Sequence, residues 1–250
     1  MRDFINETVR ALPPSGIRRF FNLASEMKDV VSLGVGEPDF LSPWNVREEA
    51  IYSLEKGRTV YTANAGLMEL RKELSQYLKR KYSLEYDPAS QLLITVGGSE
   101  AIDVALRTIL MPGDEVLIPE PSFVSYKPCA IMAGGKAVVV PLHGENGFKL
   151  TVRDLEGLVT EKTKVLVFPY PGNPTGATMS KKDMEELCRF ICEKDLFVLS
   201  DEIYAELTYD EPHTSIASMP GMYERTLVIN GFSKAFSMTG WRLGYAAGPK

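Results

Sequence analysis

The stretch from Ser233 to Tyr245, SKAFSMTGWRLGY, sets a lysine, Lys234, among Ala235, Phe236, Met238 and Trp241, with Arg242 further along. Such neighbours partly desolvate an ammonium. Desolvation lowers an amine's pKa from its reference of about 10.4, and a neutral amine is a nucleophile. Lysines also snorkel to water, so this stretch alone reads as a structural or exposed side chain, and the rest of the chain must decide. Three other stretches carry groups of comparable interest. In GGSEAI, Gly97 to Ile102, paired glycines let the backbone approach a ligand, and the helix that follows offers free N–H groups and a positive dipole end, which suit a phosphate. A plain strand-to-helix turn would read the same way. In PYPGNPTG, Asn173 is held before Pro174 in a segment too proline-rich for a helix. It is either a simple turn or a rigid amide donor to a ligand oxygen. In DEIYAEL, Asp201 precedes Tyr204 by three residues and has no basic neighbour. A carboxylate ending a buried strand needs a partner, which is either helix N–H groups in an N-cap or a ligand cation.

These groups must be positioned by the elements around them. From about residue 91 onward, short apolar runs (QLLITV, DEVLIP, KAVVVPL, KVLVFPY, LFVLSDE, TLVING) alternate with the helical patterns SEAIDVALRTIL and SKKDMEELCRFICEKD. Runs of Val, Ile and Leu without in-out alternation mark a parallel sheet buried on both faces, and the spacing fits crossover helices. The fold class is therefore α/β, with a mostly parallel sheet between helical layers. Upstream, GLMELRKELSQYLKRKY predicts an amphipathic helix with Leu67, Leu70, Leu74, Tyr77 and Leu78 on its apolar stripe. Residues from Met1 to about Trp44, with Pro and Gly near LPPSG and LGVGEPDFLSP, read as an arm: a helix flanked by loops. In an open parallel sheet the ligand lies outside the carboxyl ends of the strands, and each of the four chemical stretches follows an apolar run there.

Composition narrows the function classes. The 250 residues carry a formal net charge of -5, with basic residues scattered, so there is no electrostatic footprint for nucleic acid or an anionic membrane. No apolar run approaches the roughly 20 residues that span a bilayer, and MRDFINETVR lacks the apolar core of a signal peptide. A cytoplasmic protein is expected. Cys129, Cys188 and Cys192 are an odd number for a disulfide framework and suit a reducing compartment, with Cys188 and Cys192 on one helix face. His143 and His213 lie in no ligand-like cluster and no acyl-transfer motif, so neither a metal nor a Ser-His scheme is supported. The glycine pattern is neither a dinucleotide fingerprint nor a P-loop. A lysine able to form a Schiff base, an acid to pair with a pyridinium nitrogen, and phosphate ligands at a helix N-terminus are the parts that pyridoxal 5'-phosphate requires.

LGVGEPDF, YTANAGLMELR, PSFVSY, NPTG, SDEIY and GFSKAFSMTGWRLGY occur in this order along the chain. In this the sequence resembles the class I and II aminotransferases, the fold type I pyridoxal-phosphate enzymes of the aspartate aminotransferase type. The resemblance implies a three-layer α/β/α large domain over residues 46–250, with the arm, 1–45, belonging beside a small domain. It implies that Lys234 forms the Schiff base, that Asp201 pairs with the pyridine nitrogen, and that Asn173 and Tyr204 hydrogen-bond the ring's phenolate oxygen. Lys234, Asp201 and Tyr204 are then the catalytic set. Phe123 would stack on the ring, Gly98, Ser99 and Glu100 would form the phosphate turn, and Arg242 would grip the phosphate. Tyr61 would reach the phosphate of a neighbouring subunit in a homodimer with shared sites. Gly36 and Asn173 would contact the substrate, Gly36 beside its carboxylate. The activity implied is transfer of an amino group between an L-amino acid of aspartate, alanine or aromatic type and a 2-oxo acid. A β-elimination or C–S lyase on the same scaffold, or a cofactor-binding protein of impaired activity, are the alternatives.

Departures from the family pattern carry their own expectations. Many relatives have a hydroxyl residue three positions before the lysine to hold the phosphate, where this chain has Gly231. Glu100 puts a carboxylate into the phosphate turn, so its side chain is expected to turn away. Relatives also continue into a small C-terminal domain with the arginine for the substrate's α-carboxylate. The sequence given ends at Lys250 without it, so these 250 residues alone are expected to hold cofactor but to turn over weakly.

Overall fold

A computed structural model describes residues 3–14, 16, 27, 31 and 36–250. Much of the expected N-terminal arm, including the start of LGVGEPDF, lies outside the described residues. Near the start of the described residues, α1 (Glu7–Ala11) begins at Asn6, whose side chain accepts the Thr8 N–H at 2.8 Å.

A seven-stranded sheet forms the centre of the described residues: β1 (Leu92–Thr95), β2 (Glu115–Glu120), β3 (Lys136–Pro141), β4 (Thr163–Phe168), β5 (Phe197–Asp201), β6 (Thr226–Gly231) and β7 (Gly244–Ala247), in the order β1-β7-β6-β5-β4-β2-β3. The run β6-β5-β4-β2-β3 is parallel, as the uninterrupted Val, Ile and Leu runs require. Its inner strands are buried along most of their length, whereas β3 at the edge is only partly so. The sequence reading missed β7, which pairs antiparallel with both β1 and β6.

Two sets of side chains alternate across the strands. Leu117, Leu166, Phe168 and Val198 pack against Met184, Leu187, Cys188 and Ile191 of α7 (Lys181–Glu193), together with Leu155 of α6 (Val152–Leu155). Val116, Ile118, Val165, Val167 and Leu199 face the opposite way, onto α4 (Gly97–Ile109) and α5 (Tyr126–Met132). Together these make the expected three-layer α/β/α arrangement. The i, i+3, i+4, i+7 spacing of the buried α7 residues puts them on one face. Its start is fixed by a capping box in which Ser180 and Asp183 exchange hydrogen bonds at 3.2 and 2.9 Å.

The helix α3 (Met68–Tyr82) shares the α7 face of the sheet, burying Leu74, Leu78 and Tyr82 against Leu92, Val228 and Tyr245. Its expected stripe needs correction at one end. Leu67 is 52% exposed, and Arg71 is buried instead. The chain turns back over Arg71 at residues 86–90, whose guanidinium donates to the carbonyls of Gly66, Pro88 and Ala89 at 3.2, 2.7 and 3.3 Å. A buried charge is tolerable here because carbonyl oxygens take the place of water. The helix α2 (Trp44–Glu55), which no sequence pattern announced, has no fully buried residue among the described residues.

Candidate active site

The carboxyl ends of β4, β5 and β6 and the N-terminus of α4 converge at one edge of the sheet, the place where open α/β folds bind ligands. Asp201 is the last residue of β5 and is 7% exposed. Its Oδ2 accepts the hydroxyl of Tyr126 at 2.7 Å and its Oδ1 the N–H of Ile203 at 3.2 Å. Among the described residues no cation is paired with it, and burial pushes its carboxyl above the usual carboxylate range. The helix-cap reading of Asp201 does not apply, since a turn rather than a helix follows β5.

Lys234 lies in the turn after β6, and its Nζ stands 5.9 Å from the centre of the Tyr204 ring. It donates to the carbonyl of Gly36 at 2.5 Å. Burial holds its pKa below the ordinary lysine value; Glu37 opposes that shift and Arg242 reinforces it. Tyr204 is half-buried in the turn after β5, and burial with the nearby Asp201 raises its phenol. Asn173 sits half-buried in the loop after β4, between cis peptide bonds at Tyr170-Pro171 and Asn173-Pro174. Phe123 packs edge-on against Tyr126, with ring centres 5.7 Å apart.

The α4 N-terminus is shaped by close approaches. Gly97 has φ +76°, and a Cβ there would lie 2.4 Å from Nη2 of Arg242. A Cβ on Gly244 would fall 2.5 Å from the backbone carbon of Gly97. Only the absence of both side chains lets β7 deliver the guanidinium onto the helix start. Arg242 itself has φ 56° and donates to the Thr239 carbonyl at 2.9 Å, a strained backbone of the kind that collects at functional sites. Gly98 and Ser99 lie on the first turn, whose N–H groups point out of the helix end. The Glu100 carboxylate folds back to accept the Val96 N–H at 2.5 Å, at the start of the helix. Gly231 has a steric reason. A Cβ there would meet the Leu243 carbonyl at 3.0 Å and Gly244 Cα at 3.1 Å, so β6 and β7 fill the place of the hydroxyl side chain.

Tyr61 is fully exposed within the chain. Tyr126 belongs to PSFVSY, and the sequence assigns it no role. Its hydroxyl on Asp201 depends on α5 packing against the sheet, which no local pattern encodes. Thr239 likewise bonds the carboxylate of Glu37, joining the lysine-bearing segment to the GEPDF stretch.

The residues fit pyridoxal 5'-phosphate on the structure's own terms. A buried carboxylate without a cation partner suits a pyridinium nitrogen, and a desolvated primary amine suits an aldehyde. A helix N-terminus beneath a guanidinium suits a phosphate.

These groups at the carboxyl edge of an open α/β fold make a candidate cofactor-binding site. The family model for aminotransferase class I and II matches residues 28–250, and the chain belongs to that family. Members of this family depend on pyridoxal phosphate. The chain is 55% identical to the Bacillus subtilis protein named "Putative aminotransferase YugH", covering 100% of this chain and 64% of the relative. It is 51% identical to an aspartate aminotransferase of Pyrococcus abyssi, covering 94% and 61% of the two chains. A crystal structure of an aromatic aminotransferase from Pyrococcus horikoshii superposes with a TM-score of 0.87 at 48% identity, covering 93% of this chain and 62% of the other. The chain thus spans less than two thirds of the length of these relatives. Among the described residues no helix is long and apolar enough to cross a membrane.

Proposed function

We propose that the protein containing this chain is a pyridoxal-phosphate-dependent aminotransferase, moving an amino group between an L-amino acid and a 2-oxo acid. The observation that carries the reading is a desolvated lysine, Lys234, beside the Tyr204 ring, at the same sheet edge as a buried carboxylate, Asp201, that lacks a cation. In this reading residues 46–250 form the cofactor-binding domain and 1–45 the arm. When bound, pyridoxal phosphate supplies an aldehyde and an electron-withdrawing ring. Arg242, Gly98, Ser99 and the Glu100 backbone hold its phosphate through charge and helix N–H groups. Phe123 packs on the ring, and Asn173 and Tyr204 orient it by donating to its phenolate oxygen. Asp201 keeps positive charge on the ring nitrogen, and Tyr126 fixes the carboxylate by its 2.7 Å hydrogen bond. Lys234 Nζ, whose proton affinity is lowered by burial, would be the base that takes the substrate's Cα proton and holds it at the site for its return. Gly36 and Asn173 contact the substrate.

The site is completed by a second copy of the chain. The α2 helix exposes Trp44, Ile51 and Leu54, and Tyr61 reaches outward from the segment that follows, so this apolar face suits burial in a homodimer. The three cysteines are free, which suits the cytoplasm. Donors of aspartate, alanine and aromatic type are the candidates, supported by relatives named for aspartate and aromatic amino acids. The test compares these donors with the full-length protein, measuring 2-oxo acid formation with and without an oxo-acid acceptor. Strict dependence on the acceptor supports transamination. Oxo-acid and ammonia release without one would reassign the chemistry to elimination.

A further inference from the structure

Behind the residues that face Lys234, the same short segment carries a second, fully buried carboxylate. Asp201 and Glu202 leave β5 on opposite faces of the sheet. Asp201 points toward α5 and Tyr126, whereas Glu202, 1% exposed, points toward α3 and the segment 213–218. Its Oε1 accepts the hydroxyls of Ser200 at 2.9 Å and Ser215 at 2.7 Å, and its Oε2 lies 3.0 Å from Nε2 of His213. All of these partners can donate, as a buried carboxylate requires. Tyr82 of α3 packs edge-on against the His213 ring, with centres 5.6 Å apart.

The backbone of Glu202 is equally fixed. Its N–H donates to the Ile229 carbonyl on β6, and its carbonyl accepts the Ala205 N–H, at 2.8 and 2.9 Å. Tyr204 lies inside that turn. On its far side Glu206 is held by the hydroxyl of Tyr77 and, at 2.8 Å, by Lys81 of α3. Between residues 200 and 206, then, Asp201 and Tyr204 face the Lys234 side while Ser200, Glu202 and Glu206 are anchored away from it. A buried carboxylate costs several kcal/mol to desolvate, and the same shape could be filled with apolar groups, so satisfying it with three donors calls for a reason other than bulk stability.

We propose that Glu202, with Ser215 and His213, is a positioning residue for Tyr204: this rear cluster fixes the turn that aims the Tyr204 hydroxyl at the cofactor. The proposal rests on the cofactor reading of the site. A phenol donating to the ring's phenolate oxygen stabilises its deprotonated form, so a misplaced Tyr204 makes that form harder to reach. The test is a pH titration of the visible absorption of the cofactor-loaded full-length protein, with thermal melts alongside. Glu202→Gln is expected to raise the spectral midpoint by about one pH unit, a tenfold change in the equilibrium. Ser215→Ala, which keeps the carboxylate and removes one donor, moves it in the same direction by less. Tyr204→Phe gives the upper limit, and adding Glu202→Gln to it moves the midpoint no further. Should Glu202→Gln fail to fold, Ser215→Ala and His213→Gln carry the same comparison. Lowered melting temperatures with midpoints equal to the wild type would overturn the positioning role and leave the cofactor reading intact. A wild type that shows no cofactor-derived absorption would overturn both.

Discussion

Adding one methyl group at Gly97 tests whether Arg242 and the start of α4 form a single phosphate cradle. In Gly97→Ala the new Cβ would lie 2.4 Å from Arg242 Nη2 and 3.1 Å from its Cζ, so the guanidinium must leave its place. The φ of +76° adds strain of roughly 1–2 kcal/mol, which lowers the stability of the folded protein with or without cofactor. Loss of a charge-assisted hydrogen bond to the phosphate costs about 1.5–3 kcal/mol more, and only in the loaded state. That difference is roughly 10- to 100-fold in Kd. Titrating the cofactor-free protein with pyridoxal phosphate, followed by its visible absorption, reads the affinity; urea unfolding of the cofactor-free form reads the strain. In an Arg242→Ala background the same methyl should weaken binding by less than about threefold, because the group it displaces is already gone. Wild-type affinity in a folded Gly97→Ala protein, or full additivity in the double variant, would refute the cradle.

Other residues give independent checks. Because burial raises Asp201 above its unfolded value, the cofactor-free protein should lose stability as pH rises from about 3.8 through the raised pKa. Asp201→Asn should remove that decline in urea melts taken across pH while weakening cofactor binding at least about tenfold, a loss of about 1.4 kcal/mol; an unchanged pH slope would contradict the assignment. Arg71→Met leaves three carbonyls without their donor and should cost about 3–5 kcal/mol in chemical denaturation. A loss under about 1 kcal/mol would mean that water replaces the guanidinium. Burial pushes the Cys188 thiol up to about 12, so a thiol reagent followed by peptide mass spectrometry should modify the less buried Cys192 ahead of Cys188.

The parallel strands were legible because burial on both faces writes itself as unbroken Val, Ile and Leu, as in KVLVF and FVLS. The strand β7 was not, since GYAA is short and poor in β-branched residues, and its antiparallel place between β1 and β6 is fixed by contacts distant in sequence. The apolar spacing of α3 runs one turn too far because Leu67 continues it, and nothing local says that the chain returns over Arg71 with the carbonyls of Pro88 and Ala89 to join that of Gly66. At the candidate site, Lys234, Asp201, Tyr204 and Asn173 stood out as polar groups directly after buried runs, and the structure places all four at that edge. Tyr126, Glu202, Ser215 and His213 did not stand out. Their meaning lies in hydrogen bonds across 11 to 75 positions of sequence, and His213 by itself looks like any histidine in a loop.

The account turns on one covalent bond. Reducing the cofactor-loaded protein with borohydride, digesting it and locating the added mass should find pyridoxyl phosphate on the peptide containing Lys234, with Lys234→Ala losing both the label and the visible absorption. Label on a different lysine, or none on a protein that has bound the cofactor, would contradict the assignment of Lys234 and with it the reading of the whole site.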